Sequence, residues 1–509
     1  MKYTNNSSLT PFSRSNAPRS ERGWLLPVWC WMLKLSLFAL VDQTAVLAQQ
    51  EGVPLLSPKA VISLEYPNYW QLNQLIALSQ DGRYLIDASA VARNIRVWDW
   101  KKEEVVQRLL LNEEVPEQND NKSRVVGSLE HLGGGQNMVF TPDGRRVGAC
   151  VRSIAKAPGT YAIVRLWNLD TGTVAADLIG GVLRNVAGLD QESVLLTSCQ
   201  AISYSPDGKY VAVLVKGTLF ANYDDYKAAK ADYKNAAAKR KVGTSGIILY
   251  ETENWQLVRF IYPEKVMQRV NSRVLFTGKD AEALALVSER PTPIPNNPDA
   301  NPKSLSNQIV RWNLKNGEVL EQKDAPELTS RIYVGVWWSW LPGGREVWWP
   351  SVFENEYYQT KDEAQQCEQA DTPASFVSET VQDCAYSWAI SMMDMNSGKM
   401  KFLAPFKKNP PLHVQVQQKL KLFLAAISPD GIYLVVLRSM SNPKKGLNDE
   451  STLEIFNRET FQLEGRYSWS GVFSSAPQFS ADSKYFTFKS GELGYPNRFA
   501  TIFELPKGK

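Results

Sequence analysis

The segment Tyr204–Lys216 reads YSPDGKYVAVLVK, and it decides the fold of this 509-residue chain. Its Ser-Pro-Asp-Gly stretch predicts a tight turn, because Pro fixes φ near its turn value and Gly accepts a positive φ. The run from Tyr210 that follows is rich in β-branched residues, as strands are. Because residues 211–215 are apolar without interruption, the strand must be covered on both of its faces.

The same unit recurs along the chain, and we number its seven copies repeat 1 to repeat 7. Each copy has an apolar strand a, a turn, an apolar strand b, a variable loop, a strand c that ends in Trp-Asp or a related pair, and an outer strand d. The turns are SQDG at Ser79–Gly82, TPDG at Thr141–Gly144, SPDG at Ser205–Gly208, TGKD at Thr277–Asp280, LPGG at Leu341–Gly344, SPDG at Ser428–Gly431 and SADS at Ser480–Ser483. Stacked repeats of this kind predict an all-β fold, a single β-propeller of seven four-stranded antiparallel blades with a helical insertion in blade three.

The SPDG turns and the strand ends VWD at Val97, LWN at Leu166 and RWN at Arg311 resemble those of the WD-repeat β-propellers. The resemblance covers nearly the whole chain after its N-terminal segment. No Gly-His dipeptide precedes the repeats, and 2 histidines cannot supply the His-Asp-Ser/Thr-Trp network of the typical intracellular scaffolds. The chain is therefore more similar to a divergent, exported, bacterial-type propeller, of the kind found in the Tol system and in quinoproteins.

Strand d is missing from repeat 7, because the chain ends directly after strand c of that repeat. The unassigned strand-like segment AVISLEY, Ala60–Tyr66, lies near the N-terminus. We therefore expect it to pair with Phe499–Leu505 and to leave no open sheet edge in the last blade.

Residues 1–48 are predicted to be a signal peptide. A polar, basic start precedes the apolar stretch Trp24–Val41, and Val46-Leu47-Ala48 provides a cleavage site, which places residues 49–509 in the propeller. The alternative is an uncleaved membrane anchor at residues 24–41, and Met32 is a second possible start. The expected location is periplasmic or extracellular.

The charge of the chain argues against a nucleic-acid partner. The full chain has 57 Lys+Arg against 53 Asp+Glu, and the excess lies mostly in the first 48 residues. Duplex binding depends largely on neutralising phosphates with basic side chains. The balanced remainder therefore predicts no nucleic-acid binding.

The long loops between strands are predicted to lie on one face of the propeller. In a four-stranded antiparallel meander the b–c and d–a loops open on the same side, opposite the a–b and c–d turns. The long b–c insertions are residues 217–245, 290–307 and 355–387, and the longest d–a loops are 112–136 and 182–199. Loops on rigid scaffolds commonly carry binding sites, although tolerated surface insertions are the alternative.

Several side chains on this face are candidates for a binding surface. Ala221–Lys241 is helical by composition, with Asn222 as N-cap and its tyrosines on one stripe, although a solvated helix that rests on the propeller is the alternative. The tryptophans of repeat 5 are either core residues or an aromatic platform. The candidates are Tyr226, Tyr233, Lys239, Arg240, Trp337, Trp338 and His131.

Four of the cysteines form two candidate disulfide pairs. Cys367 and Cys384 lie in one insertion of an exported chain, which favours a bond between them. Cys150, in strand b of repeat 2, and Cys199, before strand a of repeat 3, form a weaker candidate pair, and buried free thiols are the alternative.

These observations predict a monomeric exported propeller that binds a protein or glycan partner in the cell envelope through its loop-rich face. The alternative is a propeller enzyme, a hydrolase or dehydrogenase with carboxylates and a cation at the channel mouth. No catalytic, cofactor-binding or metal-binding residue is assigned, and no cofactor is expected. Three or more carboxylates converging from the innermost strands would favour the enzyme.

Overall fold

The fold is taken from a computed structural model. It describes residues 54–64, 75–88, 94–110, 128–129, 137–157, 160–231, 242–263, 268–277, 280–289, 307–324, 339–340, 344–353, 387–403, 419–441, 449–460, 462–473, 475–492 and 495–506. The chain divides into two compact units, Met1–Gly52 and Val53–Lys509, and all of the described residues lie in the second unit. No helix within these ranges is both long and apolar enough to cross a membrane.

Strands dominate the described residues. Repeats 1, 4, 5 and 6 each form a four-stranded antiparallel sheet, repeats 2 and 3 share a nine-stranded sheet, and repeat 7 forms a five-stranded sheet with an N-terminal strand. After β1 (Ala60–Ser63), repeat 1 contains β2 (Leu75–Leu78), β3 (Tyr84–Ala88), β4 (Asn94–Asp99) and β5 (Glu104–Leu110). Repeat 2 contains β6 (Ser128–Leu129), β7 (Met138–Phe140), β8 (Arg146–Ala157), β9 (Thr160–Asn168) and β10 (Val174–Leu183). Repeat 3 contains β11 (Ser193–Tyr204), β12 (Tyr210–Phe220), α1 (Tyr223–Ala231), β13 (Val242–Glu251) and β14 (Leu257–Ile261).

The remaining four repeats have the same order. Repeat 4 contains β15 (Gln268–Phe276), β16 (Glu282–Glu289), β17 (Asn307–Asn313) and β18 (Glu318–Asp324). Repeat 5 contains β19 (Ser339–Trp340), β20 (Glu346–Phe353), β21 (Ser387–Asp394) and β22 (Met400–Leu403), and repeat 6 contains β23 (Lys419–Ile427), β24 (Tyr433–Ser441), β25 (Asp449–Asn457) and β26 (Leu463–Ser470). Repeat 7 contains β27 (Val472–Phe473), β28 (Gln478–Phe479), β29 (Tyr485–Glu492) and β30 (Tyr495–Glu504). Such sheets are consistent with a β-propeller.

The turns between strands a and b share one conformation in repeats 1, 2, 3, 6 and 7, where the structure describes every turn residue. In repeat 3 the Ser205 hydroxyl donates to Asp207 at 2.6 Å and accepts the Tyr210 backbone N–H at 2.9 Å. The last position of every turn has a positive φ, and Asp280 and Ser483 adopt it where the sequence lacks Gly: the residues are Gly82, Gly144, Gly208, Asp280, Gly344, Gly431 and Ser483. The degenerate turn of repeat 7 therefore keeps the backbone geometry of the others, and in repeat 4 Asp280 keeps the positive φ of the last turn position.

The core is divided into layers between successive repeats. One layer joins Ile248 and Tyr250 of repeat 3 with Cys150 and Val164 of repeat 2. Similar layers join repeats 1 and 2, 3 and 4, 5 and 6, and 6 and 7. A further layer contains Tyr485 of repeat 7 and Leu85 of repeat 1, so the last repeat packs against the first.

The N-terminal residues contact two repeats. β1 pairs antiparallel with β30, with Ala60 opposite Ile502 and Ser63 opposite Phe499, which confirms the pairing expected for this segment. In addition, Pro54–Leu56 lies parallel to β26 of repeat 6, where the Leu56 N–H donates to the Arg466 carbonyl at 2.8 Å. Nothing in the sequence pattern predicts this second contact.

Repeats 2 and 3 are joined by strand pairing in addition to side-chain packing. β10 pairs with β11 through Val182 and Leu183, which makes one nine-stranded sheet. Residues 182–199, expected to be a loop, are therefore strand at both ends, and the loop is confined to 184–192. Similarly, β12 and β13 pair as far as Leu219 and Val242, so the insertion expected at 217–245 spans 221–241.

Buried ion pairs link strands c and d in several repeats. Arg165 faces Asp177 at 2.7 Å in repeat 2, and both side chains are buried. Glu454 of repeat 6, 2% exposed, accepts from Arg466 at 2.9 Å and from Arg438 at 2.7 Å. Removing one partner of such a pair would leave an uncompensated buried charge, so these pairs hold the register of the outer strands.

Candidate functional site

A surface on repeat 3 combines the b–c insertion with the preceding d–a loop. The Asn222 side chain accepts the Asp225 N–H at 2.8 Å and so caps α1, as the sequence predicts. Ala229 is buried, and Tyr226 packs against Phe220 at a ring distance of 5.6 Å, which fixes α1 on the ends of β11 and β12.

The outward side of α1 carries an aromatic ring between two cations. Tyr223 stacks on Tyr226 at 5.7 Å, and the Arg184 guanidinium lies 4.3 Å from the centre of the Tyr223 ring. Lys227 lies 5.2 Å from the same centre and bonds Asp224 at 2.7 Å. We call Arg184, Tyr223, Asp224, Tyr226 and Lys227 the α1 platform. Because Arg184 comes from the d–a loop, segments from neighbouring repeats meet on the loop-rich face.

The loop that supplies Arg184 is held against strand d of repeat 3. The Phe260 N–H donates to the Ala187 carbonyl at 3.0 Å, and a Cβ at Gly188, where φ is 93°, would lie 2.0 Å from the Phe260 carbonyl oxygen. The Tyr262 hydroxyl donates to the Glu192 carboxylate, and burial followed by this bond raises the pKa of Tyr262. The platform therefore rests on a fixed loop.

A second site lies on the opposite face, at the turn ends of the innermost strands. We call it the turn-end pocket; it has a volume of about 250 Å³. Its described lining comes from repeats 1, 2, 6 and 7 and consists of Ala77, Leu78, Gln80, Met138, Val139, Phe140, Pro429, Gln478, Phe479 and Ala481. None of these side chains is ionisable, and two are amides. In the described part, the pocket lacks the carboxylates that an acid–base or cation site would need.

Metal-binding clusters are likewise missing from the described ranges, where no three His, Cys, Asp or Glu side chains converge. The turn aspartates are bound within their own turns. The Ser205 hydroxyl bond lowers the pKa of Asp207, and the Lys209 backbone N–H also donates to that carboxylate. This supports the sequence interpretation of these residues as turn formers.

The structure places few of the sequence candidates. Tyr226 lies in the α1 platform, half-buried between Phe220 and Tyr223. The others lie outside the described residues: Tyr233, Lys239, Arg240, Trp337, Trp338 and His131. Sequence reasoning missed Arg184, Tyr223 and the two pocket glutamines. The tyrosine was visible in the insertion, but nothing in sequence spacing brings Arg184 to it.

The structure describes one of the two candidate disulfide pairs. Cys150 and Cys199 are bonded, with Cα atoms 5.4 Å apart and a sequence separation of 49, which confirms the weaker candidate pair. Both cysteines are fully buried. Cys367 and Cys384 lie outside the described residues.

Comparisons with known proteins leave the family open. No family model matches the chain, and no curated protein sequence matches it. Among solved structures, the chain is similar to hydrazine synthase of Kuenenia stuttgartiensis, with a TM-score of 0.48, 12% identity, and coverage of 87% of this chain and 99% of that chain. It is also similar to a eukaryotic initiation factor, with a TM-score of 0.35, 11% identity, and coverage of 88% and 93%.

Proposed function

We propose that this protein is an exported seven-bladed β-propeller that binds a protein or glycan partner through its loop-rich face. The observation that carries the proposal is the α1 platform, where an insertion and a loop from two repeats form one fixed surface. Tyr223 contacts both Tyr226 and Arg184, so it is ordered before any partner arrives. Pre-ordered aromatic and Arg side chains are common binding hot spots.

The architecture in the proposal has independent support. The core layer between repeat 7 and repeat 1 and the pairing of β1 with β30 fit a closed ring of seven blades. The buried Cys150–Cys199 bond fits an oxidising compartment, as expected after removal of a signal peptide.

The test replaces residues 221–241 with a short Gly-Asn turn. Because Leu219 already pairs with Val242, this change leaves the β12–β13 hairpin closed. A second variant, R184A/Y223A, keeps α1 but removes its outward groups. The full chain and both variants are used in affinity capture from cell-envelope extract and on a glycan array.

We expect a partner or glycan bound by the wild-type protein to be lost, or weakened by about tenfold, in both variants. Arg83→Ala, on the turn face, is the matched control and should bind normally. Unchanged binding by both platform variants would disprove the role of this face.

A further inference from the structure

The walls of the turn-end pocket are apolar and firmly placed. Met138 and Phe140 are buried in the layer between repeats 1 and 2. Phe479 is half-buried and packs against Phe486 at a ring distance of 5.8 Å. A cavity of about 150 Å³ with such walls holds a benzene ring. At about 250 Å³, this pocket has room for one large side chain but not for a drug-sized or nucleotide-sized ligand.

The polar groups of the pocket suit a neutral occupant. The side-chain amides of Gln80 and Gln478 make no hydrogen bond to the described part of the chain, and each offers both a donor and an acceptor. Amides of this kind match the N–H and C=O groups of an extended backbone. A charged occupant would lose hydration without gaining an opposite charge from the described lining.

An exposed apolar side chain follows the turn of repeat 6, which carries the pocket residue Pro429. The residue after the turn is basic in repeats 1, 2, 3, 5 and 7, where it is Arg83, Arg145, Lys209, Arg345 and Lys484. In repeat 6 it is Ile432, which is 40% exposed and lies three positions after Pro429. A chain segment anchored in the pocket is long enough to contact Ile432 as well.

We infer that the turn-end pocket docks a partner polypeptide by taking one large uncharged side chain, aromatic or aliphatic, from an extended segment. Gln80 and Gln478 bond the backbone beside that anchor, and Pro429 and Ile432 contact the adjoining residue. The site lies on the face opposite the α1 platform, so this inference does not depend on the proposed function.

The test begins with selection from a phage-displayed library of random heptapeptides on the full-length protein. We expect the enriched peptides to share one Trp, Phe, Tyr, Leu or Met without a charge beside it. The peptides are then made with a fluorophore, and their Kd is measured by anisotropy. Failure to enrich any sequence, or enrichment of charged anchors, would overturn the inference.

Variants then locate the site. Ala481→Trp places an indole over the pocket, and we expect it to raise Kd at least about tenfold. Pro206→Trp is the matched control, because Pro206 holds the same turn position in repeat 3, is exposed, and does not line the pocket. The double variant Q80A/Q478A removes the amides without filling the pocket, and we expect about a tenfold rise in Kd. Equal Kd values for Ala481→Trp and Pro206→Trp would overturn the inference.

Two further measurements distinguish a peptide-docking pocket from a small-molecule site and from peptide binding on the loop-rich face. N-acetyl-tryptophanamide is expected to bind at least about a hundredfold more weakly than the peptides; equal binding would mean a small-molecule site. Replacement of residues 221–241 should leave peptide binding unchanged, whatever its effect on the partner of the α1 platform. Loss of peptide binding in that variant would place the peptide on the loop-rich face instead.

Discussion

Two junctions between repeats are built in different ways. Repeats 2 and 3 are joined by the Cys150–Cys199 bond and by the β10–β11 pairing, between residues close in sequence. Repeat 7 is completed by β1, whose Ala60 faces Ile502 from more than four hundred residues away. The first junction is covalent, whereas the second depends on hydrogen bonds and burial alone.

The residues that join the two ends of the chain must offset a larger loss of chain entropy than those that join repeats 2 and 3. Closing a loop of more than four hundred residues costs about 2 kcal/mol more in chain entropy than closing one of about fifty. At the end junction this cost is offset by burial of Ile62 and Leu64 and by the second contact of Pro54–Leu56 with β26. The N-terminal segment is therefore expected to contribute strongly to stability, although it lies outside the repeats.

Deletion of residues 54–64 tests this expectation most directly. It removes the pairing with β30, exposes that strand edge and removes three buried side chains, so we expect a loss of at least about 5 kcal/mol and aggregation. The measurement is urea unfolding followed by tryptophan fluorescence.

A matched pair of point variants controls for the deletion. Ile62 is 2% exposed and Val61 is 47% exposed on the same strand. Ile62→Ala is expected to lose about 2–4 kcal/mol, whereas Val61→Ala should stay within about 0.5 kcal/mol of the wild type. Equal effects of the two would mean that β1 does not bury its inner face.

The disulfide gives the next largest effect. With its cysteines separated by 49 positions in sequence, loop closure predicts that C150A/C199A lowers the free energy of unfolding by about 4 kcal/mol. Reducing agent should destabilise the wild-type protein more than the double variant, in which Cys367–Cys384 is the remaining candidate bond. If reduction has no effect on the wild type, the bond contributes nothing to the junction of repeats 2 and 3.

Sequence reasoning reached the parts of these junctions that depend on local pattern. The turn residues at Ser205–Gly208 and the strand-like run at Ala60 carry their own signals, so the repeat boundaries and the pairing of β1 were predictable. The outer strands also follow a local pattern; for example, β14 (Leu257–Ile261) comes directly after the short turn that follows strand c of repeat 3.

The rest depends on side chains that meet across repeats. Cys150 and Cys199 have no shared local pattern, which is why the closer pair Cys367 and Cys384 was favoured. Arg184 reaches Tyr223 only because β10 and β11 pair beyond the usual strand length. Gln80 and Gln478 lie in the first and last repeats, and only the three-dimensional arrangement brings them to one pocket.

Repeat 7 differs from repeat 3 in having a lysine at a strand position that is apolar in repeat 3. Lys489 is the fifth residue of β29, at the position that Leu214 holds in β12 of repeat 3. Burial lowers the pKa of Lys489 from 10.5 to about 8. Because the unfolded chain then binds more protons, stability should rise as the pH rises from about 8 to 10.5, and the full cost is present below about pH 8.

Lys489→Leu is expected to stabilise the protein by about 2 kcal/mol at pH 7 and to remove this rise with pH. The measurement is urea unfolding of both proteins at pH 7, 9 and 10.5. Urea is used instead of heat, because the pKa of a buffer depends on temperature and the pH of the solution would change during heating. A parallel pH dependence in the two proteins would show that Lys489 is not the titrating group.

The smallest expected effect concerns the second contact of the N-terminal segment. A Cβ at Gly465 of β26 would lie 2.6 Å from a methyl carbon of Leu56, so Gly465→Ala should cost about 1 kcal/mol by pushing that side chain away. The variant Leu56→Ala frees the space but loses the burial. In the double variant the two costs should not add, because the alanine at 465 then meets no leucine, and a coupling of about 0.5–1 kcal/mol in the double-mutant cycle measures the contact. Simple additivity would mean that Pro54–Leu56 does not lie on β26 in solution, leaving β1 alone to join the ends of the chain.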